Sequence, residues 1–202
     1  SKEQDIDSDI IKSHQKASLG NGNIMKYILM YYKEPKDFSS FVMLSQIMAG
    51  EAIKVAVESH RISMPYCMGS LYWQLNDCWP GASWSSLDYF GNWKALHYYA
   101  KKFFSPLLVC ADIQPEIVNV YVVNDGELIK KLKILIELYD FKGNLVFEEK
   151  VVMDVKANSS TRVFSDKKDK VLNGVNAKNV MLRTSIDVDG VIASTNDYFF
   201  EK

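Results

Sequence analysis

Cysteine and long apolar runs are both scarce in this sequence, and each absence excludes a class of protein. Three cysteines occur in 202 residues, an odd number without metal-ligand spacing, so neither a disulfide framework nor a zinc site is expected. No apolar run approaches the roughly 20 residues of a membrane span. The N-terminus is polar and acidic, unlike a secretory signal. We interpret all three cysteines as buried thiols, at Cys67, Cys78 and Cys110.

An excess of charge of one sign is also missing. Lysine and arginine number 24 against 25 aspartates and glutamates, for a net charge of -1. Such a balance gives no broad attraction for phosphate backbones or anionic lipid, so nucleic acid and membranes are not expected as partners. No residue pattern predicts a cofactor or a metal ion. With 48% hydrophobic residues, the chain has the composition of a globular protein of one large or two small domains.

Tryptophan, by contrast, is concentrated in one place. All four tryptophans lie within residues 73–93, interleaved with amide and carboxylate side chains. A sugar ring offers apolar C–H faces that stack on aromatic rings and hydroxyls that bond to amides and carboxylates. The segment therefore makes carbohydrate the first ligand class to test.

The first half of the chain has the periodicity of an α/β fold. Apolar residues recur every three or four positions in three segments, which predicts helices over residues 24–32, 37–61 and 94–104, the last with Asn92 as N-cap. Between the second and third helices, residues 66–73 form a short apolar run after Pro65, typical of a strand buried on both faces. The predicted order is helix, strand, loop, helix.

The periodicity changes to two after Pro106, most clearly over residues 131–139. Turn residues at 140–144 and at 189–190 separate runs that alternate between apolar and polar side chains. Seven short strands in the last part of the chain predict an antiparallel β-sandwich of the immunoglobulin type. We therefore expect two domains, over residues 1–104 and 105–202, with an α/β part followed by an all-β part.

The tryptophan-rich segment occupies a position where α/β folds bind ligands. If residues 66–73 are a strand and residues 94–104 the next helix, residues 74–93 form the loop after the carboxyl end of the strand. Ligand sites of α/β barrels and open sheets form at that end. Loops of this length inside compact domains are usually functional.

The same residues resemble a known family. The resemblance is to the last barrel strand and the following helix of β-mannosidases in glycoside hydrolase family two, and it extends over about residues 14–110, with the sandwich consistent but less diagnostic. It rests on two stretches, Met68-Gly-Ser-Leu-Tyr-Trp-Gln-Leu-Asn-Asp-Cys-Trp-Pro-Gly-Ala-Ser-Trp-Ser-Ser-Leu-Asp-Tyr89 and Gly91-Asn-Trp-Lys-Ala-Leu-His-Tyr98. Upstream, Ser45-Gln-Ile and Arg61 resemble the family helix that precedes this strand.

The resemblance implies a multidomain enzyme in which sandwich domains precede and follow a (β/α)8 barrel. This chain is then expected to be a C-terminal fragment: a partial (β/α)8 barrel, consisting of the last strand and its flanking helices, plus the next immunoglobulin-like sandwich. It implies β-mannoside saccharides as substrate, the remaining domains of the enzyme as partners, and an exported, periplasmic or lysosomal protein.

Retaining glycosidases need two carboxyl groups about 5 to 5.5 Å apart. In the resembled family these are glutamates at the ends of the fourth and seventh barrel strands, both before the position equivalent to Ser1, so no catalytic residue is expected here and the chain alone is expected to be inactive. Glu51 and Glu58 are interpreted as solvated helix charges. Asp77 and Asp88 are interpreted mainly as turn residues.

Three residues are the candidate sugar contacts. Trp73 resembles the family tryptophan that walls the sugar subsite, whereas Asn76 and Asp77 either bond the sugar or hold the loop. Trp79, Trp84 and Trp93 are expected to pack, with Trp93 in the core, and His97 is expected to be a structural histidine.

Two other functions remain open. The chain is alternatively part of another hydrolase of the same clan, a β-galactosidase or an exo-β-glucosaminidase. Or the sandwich is a non-catalytic module that binds carbohydrate or has a structural role. The isolated tyrosines of its strands, without an exposed aromatic row, favour the structural role.

Overall fold

A computed structural model describes residues 5–200, which form two compact units. The first unit comprises residues 5–56 and 70–101, and the second comprises residues 57–69 and 102–200. The helices are α1 (Asp9–His14), α2 (Gly20–Tyr31), α3 (Phe38–Ile62), α4 (Ala95–Phe103) and α5 (Lys168–Leu172), and a short 3-10 helix spans Ala177–Asn179.

The three predicted helices are confirmed as α2, α3 and α4. Helix α3 begins after a reciprocal cap, in which Asp37 Oδ1 accepts a hydrogen bond from Ser40 N at 2.7 Å and Ser40 Oγ accepts one from Asp37 N at 3.0 Å. The predicted N-cap of α4 is wrong. The helix begins at Ala95, whose amide donates to Gln46 Oε1 at 3.0 Å, while the side chain of Asn92 bonds to Asp88.

The predicted strand over residues 66–73 is wrong for this structure. These residues form no ladder with any other described segment. Their apolar side chains, expected to be buried on both faces, are largely exposed, and Leu71 is fully exposed. A parallel strand exists only beside hydrogen-bonding neighbours, and the described chain supplies none for this segment. A partial barrel is therefore not visible in the chain itself.

The second unit contains the predicted antiparallel sandwich, and its seven strands are confirmed. One sheet has three strands in the order β1-β2-β5, and the other has four in the order β4-β3-β6-β7. The chain crosses between sheets after β2, β4 and β5, an arrangement of the immunoglobulin type. The strands are β1 (Leu107–Ile113), β2 (Ile117–Asn124), β3 (Ile129–Asp140), β4 (Leu145–Val155), β5 (Ser159–Lys167), β6 (Val180–Val188) and β7 (Val191–Phe199).

The core of the sandwich follows from the alternation in its strands. The predicted apolar face of β3 is buried at Leu132, Ile134, Ile136 and Leu138. These residues belong to one cluster with buried valines of the opposite sheet, such as Val120. Side chains alternate across a strand, so one face of each sheet fills the space between the two sheets and the other meets water.

Turn chemistry sets the register of the hairpins. Between β3 and β4, the carboxylate of Asp140 accepts hydrogen bonds from the amides of Lys142 and Asn144, both at 2.9 Å. Between β6 and β7, Asp189 and Gly190 both have positive φ, at 52° and 86°. That pair of angles is typical of a two-residue hairpin turn, and glycine adopts it without a steric penalty.

The end of α3 belongs to the second unit, and it corrects the expectation for Glu58. This glutamate is 4% exposed rather than solvated, and its Oε2 accepts a hydrogen bond from the hydroxyl of Tyr198 at 2.9 Å. Burial and the neighbouring carboxylate raise the pKa of Tyr198 well above its usual value. Glu51 is also not freely solvated, because it is half-buried and accepts a hydrogen bond from Tyr99.

One turn further on, the Arg61 guanidinium binds three groups at the start of the sandwich. Its Nη1 donates to the carbonyl oxygens of Phe103 and Ser105, and its Nη2 pairs with Asp125 Oδ2, each at 2.7 Å. The planar fork of arginine suits such convergent acceptors. The last turns of α3 and the first strands of the sandwich therefore form one packed body.

Helix α3 is long and apolar enough to cross a membrane by length and composition alone. Its most apolar 18 residues have a mean hydropathy of 1.4, and 22% of that window is buried. Core helices of soluble proteins meet the same criterion, and Glu58 and Arg61 bond to protein groups at the end of this helix. Apolar side chains of α3 such as Met43 and Val55 are exposed, so the described residues leave part of this helix uncovered.

The cysteines differ from expectation in two of three cases. Cys110 is buried in β1, as predicted. Cys67 is half-buried and Cys78 is exposed, because both lie in segments that the described chain does not cover.

Candidate functional site

The tryptophan-rich loop is folded back on itself by backbone hydrogen bonds. The amides of Ser86 and Leu87 donate to the carbonyls of Gln74 and Leu75, at 3.1 and 2.8 Å. The amide of Lys94 donates in turn to the carbonyl of Ser86 at 2.9 Å. Three limbs of the loop, at residues 74–77, 85–87 and 93–94, therefore lie side by side.

A buried ion pair joins the same three limbs. Asp77 is 8% exposed, and its Oδ2 lies 2.8 Å from Nζ of Lys94. Ser83 Oγ donates to Asp77 Oδ1 at 2.5 Å, and Ser85 Oγ donates to Asp77 Oδ2 at 2.7 Å. Burial alone would raise the pKa of Asp77, but hydrogen bonds from Lys94, Ser83 and Ser85 outweigh it and lower the pKa. The carboxylate therefore stays ionised with both oxygens engaged.

Ser86 forms a second polar centre, one residue from the first. It is fully buried, and its hydroxyl lies 2.8 Å from the hydroxyl of Tyr72 and 3.0 Å from Nδ1 of His97. It also lies 2.9 Å from the carbonyl oxygen of Leu75. His97 is thus a bonded structural histidine, as predicted. This centre ties the start of the loop to α4.

Trp73 and Asn76, two of the three predicted sugar contacts, are exposed. The side chain of Trp73 is 73% exposed, at the start of the loop, and its peptide bond to Gln74 is cis. Asn76 lies three residues later and is also exposed. The third, Asp77, is enclosed by the loop. The structure thus places the exposed side chains of Trp73 and Asn76 on one loop, whereas the carboxylate of Asp77 is buried within that loop.

The other tryptophans divide differently from expectation. Trp79 packs against the end of α1 and the residues that follow it, because its ring lies 5.2 Å from that of His14 and 4.5 Å from Nζ of Lys16. Trp93, expected in the core, is about half exposed, with its ring 4.3 Å from that of His97. Trp84 is 58% exposed, which does not support the packing role expected for it.

Asp88 is half-buried and caps a turn, as its sequence context suggested. Its Oδ1 accepts hydrogen bonds from the amides of Phe90 and Asn92, both at 2.8 Å. The hydrogen bonds from Asn92 lower the pKa of Asp88. A general acid needs a carboxyl that holds a proton near neutral pH, so neither Asp77 nor Asp88 has the environment of one.

One cavity of the first unit has a volume of about 520 Å³. It is lined by six residues at the start of α3, between positions 38 and 47, and by Ala95. None of the three predicted sugar contacts lines it. Within residues 5–200, no group of three or more His, Cys, Asp or Glu side chains is arranged to hold a metal ion.

Sequence reasoning missed the partners that shape the loop. Lys94 was assigned only as the start of a helix, and Ser83, Ser85 and Ser86 were assigned no role. They meet Asp77 and Tyr72 across separations of 6 to 17 residues. Side-chain contacts of this kind follow no periodic pattern in the sequence. The sequence gives one indication of them, which is a lysine and several serines that follow an aspartate within the same loop.

The comparisons with known proteins cover both halves of the chain. The Mannosidase Ig/CBM-like domain family matches residues 116–202. A β-mannosidase of Capra hircus is 30% identical over 199 residues, which cover 90% of this chain and 23% of the goat protein. The crystal structure of a β-D-mannosidase from Dictyoglomus thermophilum superposes with a TM-score of 0.90 at 30% identity, and it covers 99% of this chain and 24% of that one.

A more distant structure shares the fold alone. The exo-chitosanase of Amycolatopsis orientalis superposes with a TM-score of 0.81 at 19% identity, over 100% of this chain and 25% of that chain. This chain therefore spans about a quarter of the length of its relatives. Since sequence and structural similarity extend over nearly all of it, the chain is homologous to the C-terminal region of the β-mannosidases of glycoside hydrolase family two.

Proposed function

We propose that this chain is the part of a retaining exo-β-mannosidase that supplies one wall of the sugar pocket. The observation that carries the proposal is that Trp73 and Asn76, three residues apart, are both exposed on a loop held by its own hydrogen bonds. The indole offers a face for the C–H side of a mannosyl ring. The amide of Asn76 offers both a donor and an acceptor for a hydroxyl.

For Asp77, the buried contacts favour holding the loop over bonding the sugar. A sugar ligand needs an accessible polar atom, and both carboxylate oxygens of Asp77 are already bonded within the loop. Trp73 and Asn76 are therefore the two sugar contacts that we propose from this chain.

The bond-breaking chemistry is assigned to the rest of the enzyme. Retention requires one carboxylate that attacks the anomeric carbon and one carboxylic acid that protonates the leaving oxygen. Asp77 and Asp88 are ionised and bonded within the loop, so we propose that both catalytic glutamates lie outside this chain and that the chain alone is inactive.

The rest of the barrel is also assigned to the other part of the enzyme. We propose that residues 66–73 become its last strand when the rest of the barrel lies beside them, with domains of residues 1–104 and 105–202. The exposed side chains of Tyr66, Met68 and Leu71 support this, because such apolar surface is normally covered. The remaining domains of the enzyme are thus the partners of this chain.

The first prediction concerns substrate choice, measured as kcat/KM of the full-length protein on aryl β-glycosides. We expect aryl β-mannoside to be preferred over aryl β-galactoside and aryl β-glucosaminide by at least about tenfold, since one misplaced hydroxyl contact costs about 1.4 kcal/mol or more in the transition state. The control is the 202-residue chain alone, expected to release no product.

Each alternative has its own outcome in this experiment. A preference for galactoside or glucosaminide would assign the chain to another hydrolase of the clan. No hydrolysis of any of the three, together with binding of mannan oligosaccharides by the chain, would instead support a non-catalytic carbohydrate-binding module.

A further inference from the structure

We infer that Asp77 is a positioning residue that, through its buried ion pair with Lys94, holds the loop of residues 74–94 in the shape that presents Trp73 and Asn76. The inference rests on the proposed sugar site. It adds to that site a residue pair that sets its geometry without touching the sugar.

The contacts of Asp77 all lead to other parts of the loop. Lys94 immediately precedes α4, while Ser83 and Ser85 lie on the returning limb. Nζ of Lys94 also lies 2.8 Å from Ser85 Oγ and 3.2 Å from Ser83 Oγ, so the four polar groups form one closed cluster. A charge buried with its partner is costly to leave unpaired, so each member fixes the others.

The cluster is adjacent to the proposed sugar contacts along the chain. Asn76 directly precedes Asp77, and its backbone is paired with Leu87 on the returning limb. Backbone hydrogen bonds and the Ser86 centre also hold that end of the loop. Loss of the ion pair would therefore release the limb that carries Asn76, and Trp73 at its start.

A positioning role and a sugar-binding role of Asp77 predict different effects of substituting Lys94. If Asp77 acts through the ion pair, Asp77→Asn and Lys94→Met break the same bond and have the same effect, and the double variant is no worse than the worse single variant. If Asp77 binds the sugar directly, its substitution lowers activity and substitution of Lys94 has little effect.

The first arm of the test is tryptophan emission of the 202-residue chain. All four tryptophans lie within residues 73–93, so the emission reports on this loop alone. We expect a red shift and stronger acrylamide quenching in both Asp77→Asn and Lys94→Met. Ser83→Ala removes one donor and keeps the ion pair, so it should give a smaller change in the same direction and keeps the test usable if Asp77→Asn does not fold.

The second arm is the kinetics of the full-length enzyme on aryl β-mannoside. We expect both single variants to raise KM roughly tenfold with a smaller change in kcat, since misplaced Trp73 and Asn76 lose contacts made before and during reaction. A purely structural loss would lower the active fraction and leave KM unchanged. The matched control is Asp88→Asn, because Asp88 lies on the same loop with its carboxylate bonded to Phe90 and Asn92 rather than to Lys94, and asparagine can form the same turn.

Two results would overturn the inference. One is unchanged emission in both variants. The other is a raised KM in Asp77→Asn with wild-type kinetics in Lys94→Met, which would make Asp77 a sugar ligand and leave the proposed function intact. If the wild-type enzyme does not cleave aryl β-mannoside, the proposed function fails, while the emission arm still decides whether the pair holds the loop.

Discussion

The shape of the candidate site depends on the carboxylate of Asp77. Burial alone would favour its protonated form, but the ammonium of Lys94 and two serine hydroxyls favour the ionised form more strongly and lower its pKa. A carboxylate whose pKa is lowered on folding stabilises the fold above its unfolded pKa, near 3.8, and loses that effect as the pH falls through the folded value. The loop should therefore loosen in acid.

This predicts an acid-dependent change in the tryptophan emission of the chain. As the pH falls below the unfolded pKa near 3.8, wild-type emission should move toward that of Asp77→Asn, because protonation breaks the ion pair. The variant should be shifted already at neutral pH and should change less over the same range. Identical titration curves for the two proteins would assign the acid response to other carboxylates.

The role of a single residue was predictable from the sequence where its immediate neighbours determine that role. It was missed where a contact with a distant part of the chain determines it. The turn role of Asp88 follows from its neighbours, whereas the sugar contact expected of Trp73 stays a prediction. Glu58 was expected in water because glutamate on a helix usually lies there. The hydroxyl of Tyr198, 140 positions away, makes its burial possible, and no local pattern reveals that partner.

At the scale of elements, strands were predictable where their neighbours lie in the chain. The alternation of β3 determines which face is buried, and the turns at Asp140 and at Asp189-Gly190 allow the hairpins to close. Residues 66–73 have an equally clear apolar pattern but form no strand here. An apolar run predicts a buried strand only if something covers it, and the described chain does not.

The junction of α3 with the sandwich leads to a prediction about Arg61. Arg61→Met removes three hydrogen bonds and leaves two carbonyls and the carboxylate of Asp125 without their cation. We expect the free energy of unfolding of the second unit to fall by about 3 kcal/mol. Urea unfolding followed by far-UV circular dichroism measures this change.

The control for that experiment is Arg183→Met. Arg183 also forms two hydrogen bonds to one aspartate, Asp197, but this pair lies on the surface of the sandwich. Surface pairs contribute little, so the loss should stay below about 1 kcal/mol. Equal losses in the two variants would show that the end of α3 is not part of the packed body.

At the scale of the whole chain, the two units differ in how far they can be understood from this sequence alone. The sandwich has its own apolar core, and its fold class follows from period and turns. Outside the sandwich, Tyr66, Leu71 and much of α3 are exposed in the part of the chain that the structure describes, so the apolar pattern there does not determine which surfaces pack together. The resemblance to the family rests on the residues around Trp73. Periodicity alone predicts an α/β fold and gives no information on activity.

The measurement that tests the central claim most directly compares Trp73→Ala with Trp84→Ala in the full-length enzyme. Both tryptophans are exposed on the same loop, at 73% and 58%, and only Trp73 is proposed to touch the sugar. We predict that Trp73→Ala lowers kcat/KM on aryl β-mannoside by roughly a hundredfold, the scale of about 3 kcal/mol of lost contact, while Trp84→Ala changes it less than about threefold. Equal effects of the two substitutions, or wild-type activity in Trp73→Ala, would contradict the claim that this chain forms a wall of the sugar pocket.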